Sequence, residues 1–222
     1  MTVMNHFINK SIRENIGFTA NDVGFFLDNI NIEEESKEKI RKILEETKRL
    51  PAALRGYHGG YIGGLYDHSL LVTNIAYQIC NLPSFLERFL SFLRNQAVKI
   101  SSGYDKMNLS KILQTALSHD FGKIPYYGYK KNLPNRRINT TRSLVETVSS
   151  EIKEKFDLYG KDSHVDQCIA VLKKYHLPFD EEISLGIIFH HGRWAKYRPF
   201  RSNKLSELIH IADMIASHYY KI

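Results

Sequence analysis

Apolar residues recur at intervals of three and four along several segments of the chain, and this is the period of one face of an α-helix. One such stripe runs from Leu65 to Ile79 and another from Leu109 to Leu117. Comparable patterns predict further helices over residues 33–50, 84–100, 143–158, 164–175, 180–191 and 203–220. Because helices of this kind bury their apolar stripes against one another, we expect an all-α fold, a compact helical bundle.

Polar residues interrupt three of these stripes at positions that face the predicted core. They are His68, Asp120 and Asp213. A buried carboxylate needs a cation or several hydrogen-bond donors to stay ionised, and a metal ion meets that need. A lone histidine on an apolar stripe is more often a hydrogen-bonded core residue. His119 directly precedes Asp120, however, and an imidazole beside a carboxylate suits a borderline divalent metal ion.

Three further histidines lie at the two ends of a predicted helical hairpin. His164 begins the first helix, and His190 and His191 end the second. Two helices of about a dozen residues each, at about 1.5 Å per residue, bring the pair back to the level of His164. A helix-start residue and a polar helix end are the simpler explanations, but the joint position predicts one cluster.

Positive charge is concentrated in two segments. The net charge of the chain is +7, yet residues 121–145 carry six basic residues and residues 192–204 carry five, with no acidic residue in either. Interleaved aromatic residues are typical of surfaces that contact phosphates and stack bases, although two solvated loops are the alternative. The candidates for substrate contact are Lys123, Lys130, Lys131, Arg136, Arg137, Arg193, Trp194 and Arg198.

A glycine-rich segment precedes the stripe that contains His68. Five of the ten residues from Arg55 to Gly64 are glycine. Such a segment lets the backbone approach a ligand closely or close over it, and a flexible connector is the alternative. His58 lies in this segment, where it is predicted either to contact substrate or to be a plain loop histidine.

The length and composition fit one main domain. We expect an N-terminal helical extension over residues 1–50, with two short helices before residue 33, packed on a domain that covers residues 51–222. Cys80 and Cys168 lack metal-binding spacing and are predicted to be buried free thiols. No apolar run reaches the length of a signal peptide core or a membrane span, so a cytoplasmic protein is expected.

Together these residues resemble the H…HD…D signature of the HD-domain metal-dependent phosphohydrolase superfamily. The matching motifs are Gly-Gly-Leu-Tyr-Asp-His before Ser69, His-Asp-Phe-Gly-Lys from His119 to Lys123, and Ala-Asp-Met-Ile-Ala around Asp213. The resemblance spans about residues 56–220 and implies an HD-domain-like helical bundle. His164 and the His190-His191 pair further resemble the additional ligands of the two-metal branch of this superfamily.

The resemblance implies two divalent transition-metal ions. One would be held by His68, His119, Asp120 and Asp213. The second would be held by His164, His190 and His191, with Asp120 bridging both ions. Histidine-rich ligation favours Fe, Mn, Zn, Co or Ni over Mg. A metal-bridging hydroxide would then attack a phosphoester without a covalent enzyme intermediate, with Asp120 and Lys123 as catalytic residues.

Departures from the family pattern narrow the range of substrates that we expect. The Gly-Tyr-Pro motif of the cyclic-di-GMP branch is absent, and Gly64 replaces the carboxylate that would accompany a third metal. The glycine-rich lead is more similar to HD domains associated with exoribonucleases and relaxases. We therefore expect a phosphodiesterase or phosphatase acting on a nucleotide or single-stranded nucleic acid. The alternatives are an HD-type di-iron oxygenase and a nucleic-acid-binding module with a structural metal.

Overall fold

The computed structural model describes residues 8–53, 56–127, 164–192 and 203–222. Within these ranges the chain forms helices and no strand, which confirms the predicted all-α fold for this part of the protein. None of these helices has the length and apolar character that a membrane crossing requires. The helices are α1 (Lys10–Asn15), α2 (Val23–Asp28), α3 (Glu34–Thr47), α4 (Gly64–Asn81), α5 (Pro83–Glu87), α6 (Leu90–Asn95), α7 (Leu109–Ser118), α8 (Lys123–Tyr127), α9 (His164–Lys174), α10 (Glu181–Ile188) and α11 (Lys204–Met214).

Helix α4 is the central element of the bundle. It packs against α3, α7 and α11, and nearly all of its residues from Gly64 to Ala76 are buried. A helix that is buried on every side has no solvent-facing stripe, and this explains why its sequence is apolar well beyond one face. His68 therefore lies inside the core, on a helix that contacts α3, α5, α7 and α11.

Helices α7, α9 and α10 form a second group that packs beside α4. Helix α7 contacts both α4 and α10, while α9 contacts α8 and α10. Asp180 caps α10, because its carboxylate accepts a hydrogen bond of 3.0 Å from the backbone N–H of Ile183. The buried thiol of Cys168 donates to the carbonyl of Ser118, which joins α9 to the last residue of α7.

The N-terminal segment contains the two short helices that the sequence predicts, α1 and α2, and it is hydrogen bonded to α4. The side-chain oxygen of Asn74 accepts from the backbone N–H of Asn21 at 2.7 Å, and its amide nitrogen donates to the Asn21 carbonyl at 3.1 Å. Asn74 is fully buried, so this pair replaces the water that both backbone groups would otherwise bind. The division of the chain at residue 50 stays a prediction.

Two of the predictions are wrong, and a third is made more specific. Residues 84–100 do not form one helix, because α5 ends at Glu87 and α6 begins at Leu90. The N–H of Phe89 bonds the carbonyl three residues earlier, and this tightened turn keeps the Phe89 ring in the core. The helix predicted over residues 203–220 is α-helical over Lys204–Met214 and π-helical over Ile215–Tyr219. Cys80 is only half-buried, because α4 leaves the core near its end.

Replacing Asn74 by alanine tests how the N-terminal segment is held. We expect Asn74→Ala to lower the free energy of unfolding by about 1–3 kcal/mol, because it removes the hydrogen-bond partner of two partly buried backbone groups of Asn21. Asn81→Ala on the same helix is the matched control, with a change within about 0.5 kcal/mol, since Asn81 is exposed and bonds only its own helix. Urea unfolding measures both, and equal losses would contradict this account.

Candidate metal centre

The seven predicted metal ligands all lie among the described residues, and five separate segments carry them. They are His68 on α4, His119 and Asp120 after α7, His164 at the start of α9, His190 and His191 after α10, and Asp213 on α11. Four of these segments place their ligand within two or three residues of a helix end. The bundle brings these side chains into one cluster. Their roles as metal ligands stay a prediction.

Two triplets of ligand atoms form this cluster. The donor atoms of His68, His119 and Asp120 lie within 4.8 Å of one another, and so do those of His164, His190 and His191. The arrangement matches the two ligand groups expected from the sequence, except for Asp213. In the structure Oδ1 of Asp213 lies 3.1 Å from Nε2 of His68, at the edge of the first triplet.

Asp120 stands between the two triplets, and its two oxygens face different neighbours. Its Oδ2 atom lies 3.3 Å from Nε2 of His119 and 3.7 Å from Nε2 of His68. Its Oδ1 atom lies 3.4 Å from Nε2 of His164, which is itself 2.9 Å from Nε2 of His191. A carboxylate with this orientation can contribute one oxygen to each of two cation sites.

Several of these donor atoms are buried without a hydrogen-bond partner in the described part of the protein. The Nε2 atoms of His68, His119 and His190 and the Oδ1 atom of Asp120 each expose less than 1 Å². A buried polar atom that lacks a partner costs about 1–3 kcal/mol. Because all four point into one cluster of nitrogen and oxygen donors, a borderline divalent metal ion fits this group.

Backbone carbonyls fix which ring nitrogen faces the cluster. The Nδ1 atom of His119 lies 2.7 Å from the carbonyl of Ala116, and that of His190 lies 2.5 Å from the carbonyl of Ile187. A carbonyl oxygen only accepts, so each Nδ1 carries the proton and donates. In the neutral ring the lone pair is then on Nε2, where a metal ion can bind it.

The charge states of His164, His190, His191 and Asp120 suit a cation. Burial alone would lower the pKa of His119, but the adjacent Asp120 raises it, so a metal ion would replace a proton on that ring. Burial lowers the pKa of His164, His190 and His191 to about 3, so these rings are neutral at pH 7. Burial by itself would raise the pKa of Asp120, but the ammonium of Lys123 and the adjacent imidazoles hold that pKa well below its ordinary value. Neutral imidazoles and an ionised carboxylate are the forms that bind metal.

Lys123 is the predicted substrate-contact residue that the structure describes. It is buried, and its Nζ atom donates to Oδ2 of Asp120 at 2.6 Å. This ion pair places one positive charge at the cluster, and contact with a substrate phosphate stays a prediction. The other candidates lie outside the described residues: Lys130, Lys131, Arg136, Arg137, Arg193, Trp194 and Arg198.

His58 is nearer to the cluster than a plain loop histidine need be. Its ring centroid lies 5.1 Å from that of His68 and 6.4 Å from that of His218. Burial and the nearby His68 lower its pKa to about 3, so the ring is neutral at pH 7. The sequence signal for this position is weak, because only the glycine-rich context before α4 marks it, and the fold of that segment determines where the ring points.

Gly122 allows two ligand segments to approach each other. A Cβ atom at this position would overlap the carbonyl oxygen of His164 and the backbone nitrogen of Cys168. The backbone after Asp120 therefore packs directly on the first turn of α9. No side chain larger than hydrogen fits between them, and this close contact sets the separation of Asp120 and His164.

Gly122→Ala tests this close approach. We expect the free energy of unfolding to fall by about 1–3 kcal/mol or more, because the added methyl group meets rigid backbone on α9. The control is Gly24→Ala on α2, where the nearest atom to the new methyl is the carboxylate oxygen of Asp22 at 3.2 Å. This control is expected to be neutral or slightly stabilising, and chemical denaturation of both variants would show it. Equal effects would contradict the role given to Gly122.

Comparison with known protein families identifies the fold. A family model described as HD domain matches residues 65–217, a range that contains every predicted ligand. Comparisons with curated proteins and with solved structures find no match. The family match confirms the resemblance based on the H…HD…D motifs. This chain belongs to the HD domain family, the superfamily of metal-dependent phosphohydrolases.

Proposed function

We propose that the protein is a metal-dependent phosphohydrolase that acts on a phosphoester of a nucleotide or of single-stranded nucleic acid. The observation that carries this proposal is the position of Asp120, whose two carboxylate oxygens face two different groups of histidines. One shared carboxylate between two imidazole groups is an arrangement that suits two ions rather than one. We accordingly assign the chain to the two-metal branch of its family.

The proposed ligands divide between two divalent ions. The first ion would be held by His68, His119, Asp120 and Asp213. The second would be held by His164, His190 and His191 together with Asp120. When bound, such a pair of ions supplies a water nucleophile at neutral pH and Lewis-acid polarisation of the phosphoryl oxygens. The imidazole-rich donors favour Fe, Mn, Zn, Co or Ni.

Two residues beside the ligands are proposed to contact the substrate. Lys123 provides a buried ammonium next to Asp120, where it can balance the negative charge that develops on a phosphoryl group. His58 provides a neutral ring next to His68, and a neutral imidazole can donate one hydrogen bond to a phosphate oxygen. Both groups belong to segments adjoining a ligand, so both are carried close to the reacting phosphate.

The nucleotide part of the proposal is supported by the glycine-rich segment. Tyr57, directly before His58, is 71% exposed. An exposed aromatic ring beside a phosphate-binding centre can stack on a base without reading its identity. The basic residues in 121–145 and 192–204 would contact further phosphates. Both cysteines are free, which fits the reducing cytoplasm where we place the protein.

Hydrolysis of bis(p-nitrophenyl) phosphate by the Mn- or Fe-loaded protein tests the proposed function. We expect Asp120→Ala to lower the rate by at least about 100-fold, because it removes the shared carboxylate. Lys123→Met is expected to lower kcat by about 10- to 100-fold through loss of the ammonium. Lys111→Met is the matched control with unchanged activity, since Lys111 pairs with Asp180 and Glu182 away from the cluster.

Other results would support other functions. Equal, metal-independent activity in the wild type and Asp120→Ala would rule out the hydrolase proposal. Dioxygen consumption by the reduced iron form, without ester hydrolysis, would indicate the di-iron oxygenase. Salt-sensitive nucleic-acid binding that survives metal removal, without turnover, would indicate a binding module. A panel of nucleotides, cyclic dinucleotides and single-stranded RNA and DNA then defines the substrate.

A further inference from the structure

Three imidazoles of the proposed metal centre make the same kind of hydrogen bond, in which the Nδ1–H group donates to a backbone oxygen. For His119 and His190 that oxygen belongs to the residue three positions earlier, in the last turn of α7 or α10. The last carbonyls of a helix have no intrahelical partner, so a histidine just beyond the helix end finds an acceptor nearby. These two rings are therefore oriented by their own helices.

His68 has a different partner. It lies in the second turn of α4, where the surrounding carbonyls accept hydrogen bonds within the helix. Its Nδ1 atom instead lies 2.8 Å from the backbone oxygen of Ile222, which is 154 residues away in the chain. Since that oxygen only accepts, the proton is on Nδ1 and the lone pair is on Nε2, which faces Asp213 and Asp120.

The segment from Tyr220 to Ile222, which carries this oxygen, is held in place by its backbone conformation and by two hydrogen bonds. Lys221 has a φ of 61°, and this left-handed residue turns the chain back toward the bundle. The N–H of Ile222 then donates to the carbonyl of Ala216 at 2.9 Å, and the Ile222 side chain is buried. The Tyr220 hydroxyl donates to the carbonyl of Ile16 at 2.7 Å, which ties the segment to the N-terminal part of the chain.

We propose that the segment Tyr220–Ile222 is a positioning element of the metal centre. The backbone oxygen of Ile222 sets the ring orientation and the tautomer of His68, and the hydrogen bond from Tyr220 to Ile16 makes the N-terminal segment part of that support. A hydrogen-bonded partner of this kind typically contributes 10- to 100-fold to metal affinity. The proposal rests on the proposed metal centre, and it assigns residues near both ends of the described chain a role without any ligand atom.

The neighbour of His68 is held by the same N-terminal segment. The backbone N–H of Asn9 donates to Oδ1 of Asp67 at 3.2 Å, and the Tyr61 hydroxyl donates to Oδ2 at 2.6 Å. Asp67 is itself buried. The start of α4 is thus fixed on one side by Asn9 and Tyr61, while the ring of His68 is fixed on the other by Ile222.

Metal titration of the metal-free protein tests the proposal. Mn²⁺ or Zn²⁺ competition with a chromophoric chelator gives the affinity of each equivalent bound. We expect Ile222→Gly to lower the affinity for one of the bound metal ions by about tenfold, because it removes the buried side chain that holds the Ile222 backbone oxygen in place. Tyr220→Phe keeps the ring but removes the hydroxyl that bonds Ile16, and it is expected to cause a smaller loss of metal affinity.

Matched variants separate positioning from folding. Ile222→Val keeps a buried side chain at this position. Tyr219→Phe changes the neighbouring tyrosine, which is half-exposed. Both variants are expected to bind metal like the wild type. In a His68→Asn background, Ile222→Gly is expected to cause no further loss of metal affinity, because the Ile222 backbone oxygen acts through His68. Urea unfolding of each metal-free variant confirms that the folded protein is being compared.

The possible outcomes are distinct. A wild-type chain that binds no metal overturns the metal centre and this proposal with it. Wild-type binding that is unchanged by Ile222→Gly and Tyr220→Phe overturns the positioning role alone and leaves the proposed hydrolase intact. A loss that is equally large with and without His68 also overturns the proposal, since it would show a general weakening of the fold.

Discussion

The burial of the Asp120 carboxylate is the constraint on which the rest of the site depends. Only 1% of the residue is exposed, and an ionised group at such a depth needs compensating charge and donors. Lys123 supplies one positive charge at 2.6 Å, but Asp213 adds a second buried carboxylate 3.1 Å from His68. Divalent cations would compensate both carboxylates, and they would also engage the Nε2 atoms of His68, His119 and His190, which have no hydrogen-bond partner among the described residues.

The bundle supplies these groups mainly from the ends of its helices. His119 and His190 follow directly on α7 and α10, and there the free terminal carbonyls orient their rings. His68 is the exception, because it lies inside α4 and takes its acceptor from Ile222. Gly122 and the packed start of α9 bring the two groups of histidines together. The geometry of the centre thus reflects contacts that join nearly the whole length of the described chain.

Much of this organisation was predictable from the sequence. Stripes with a period of three to four residues indicate the helices, and a polar residue in register with such a stripe, such as Asp120 or Asp213, must face the core. The HD motifs identify the family. The division of residues 84–100 into two helices was not predictable, because no proline or glycine marks Phe89.

Contacts between distant segments were also beyond the sequence. The position of His58 depends on how a glycine-rich segment folds over α4, and the bond from Ile222 to His68 joins residues 154 positions apart. Periodicity describes which face of one helix is buried, but it carries no information on such pairings. The ligand assignment is proposed from geometry and from the donor atoms that have no hydrogen-bond partner within the part of the chain that the structure describes.

Metal content tests the central claim, a two-ion centre shared by Asp120, most directly. The purified protein is loaded with Mn²⁺ or Fe²⁺, freed of unbound metal and examined by elemental analysis against protein concentration. We expect about two ions per wild-type chain and at most one in Asp120→Ala, because both proposed ions share that carboxylate. A wild-type chain that retains one ion or none, or an Asp120→Ala chain that still retains two, would contradict it.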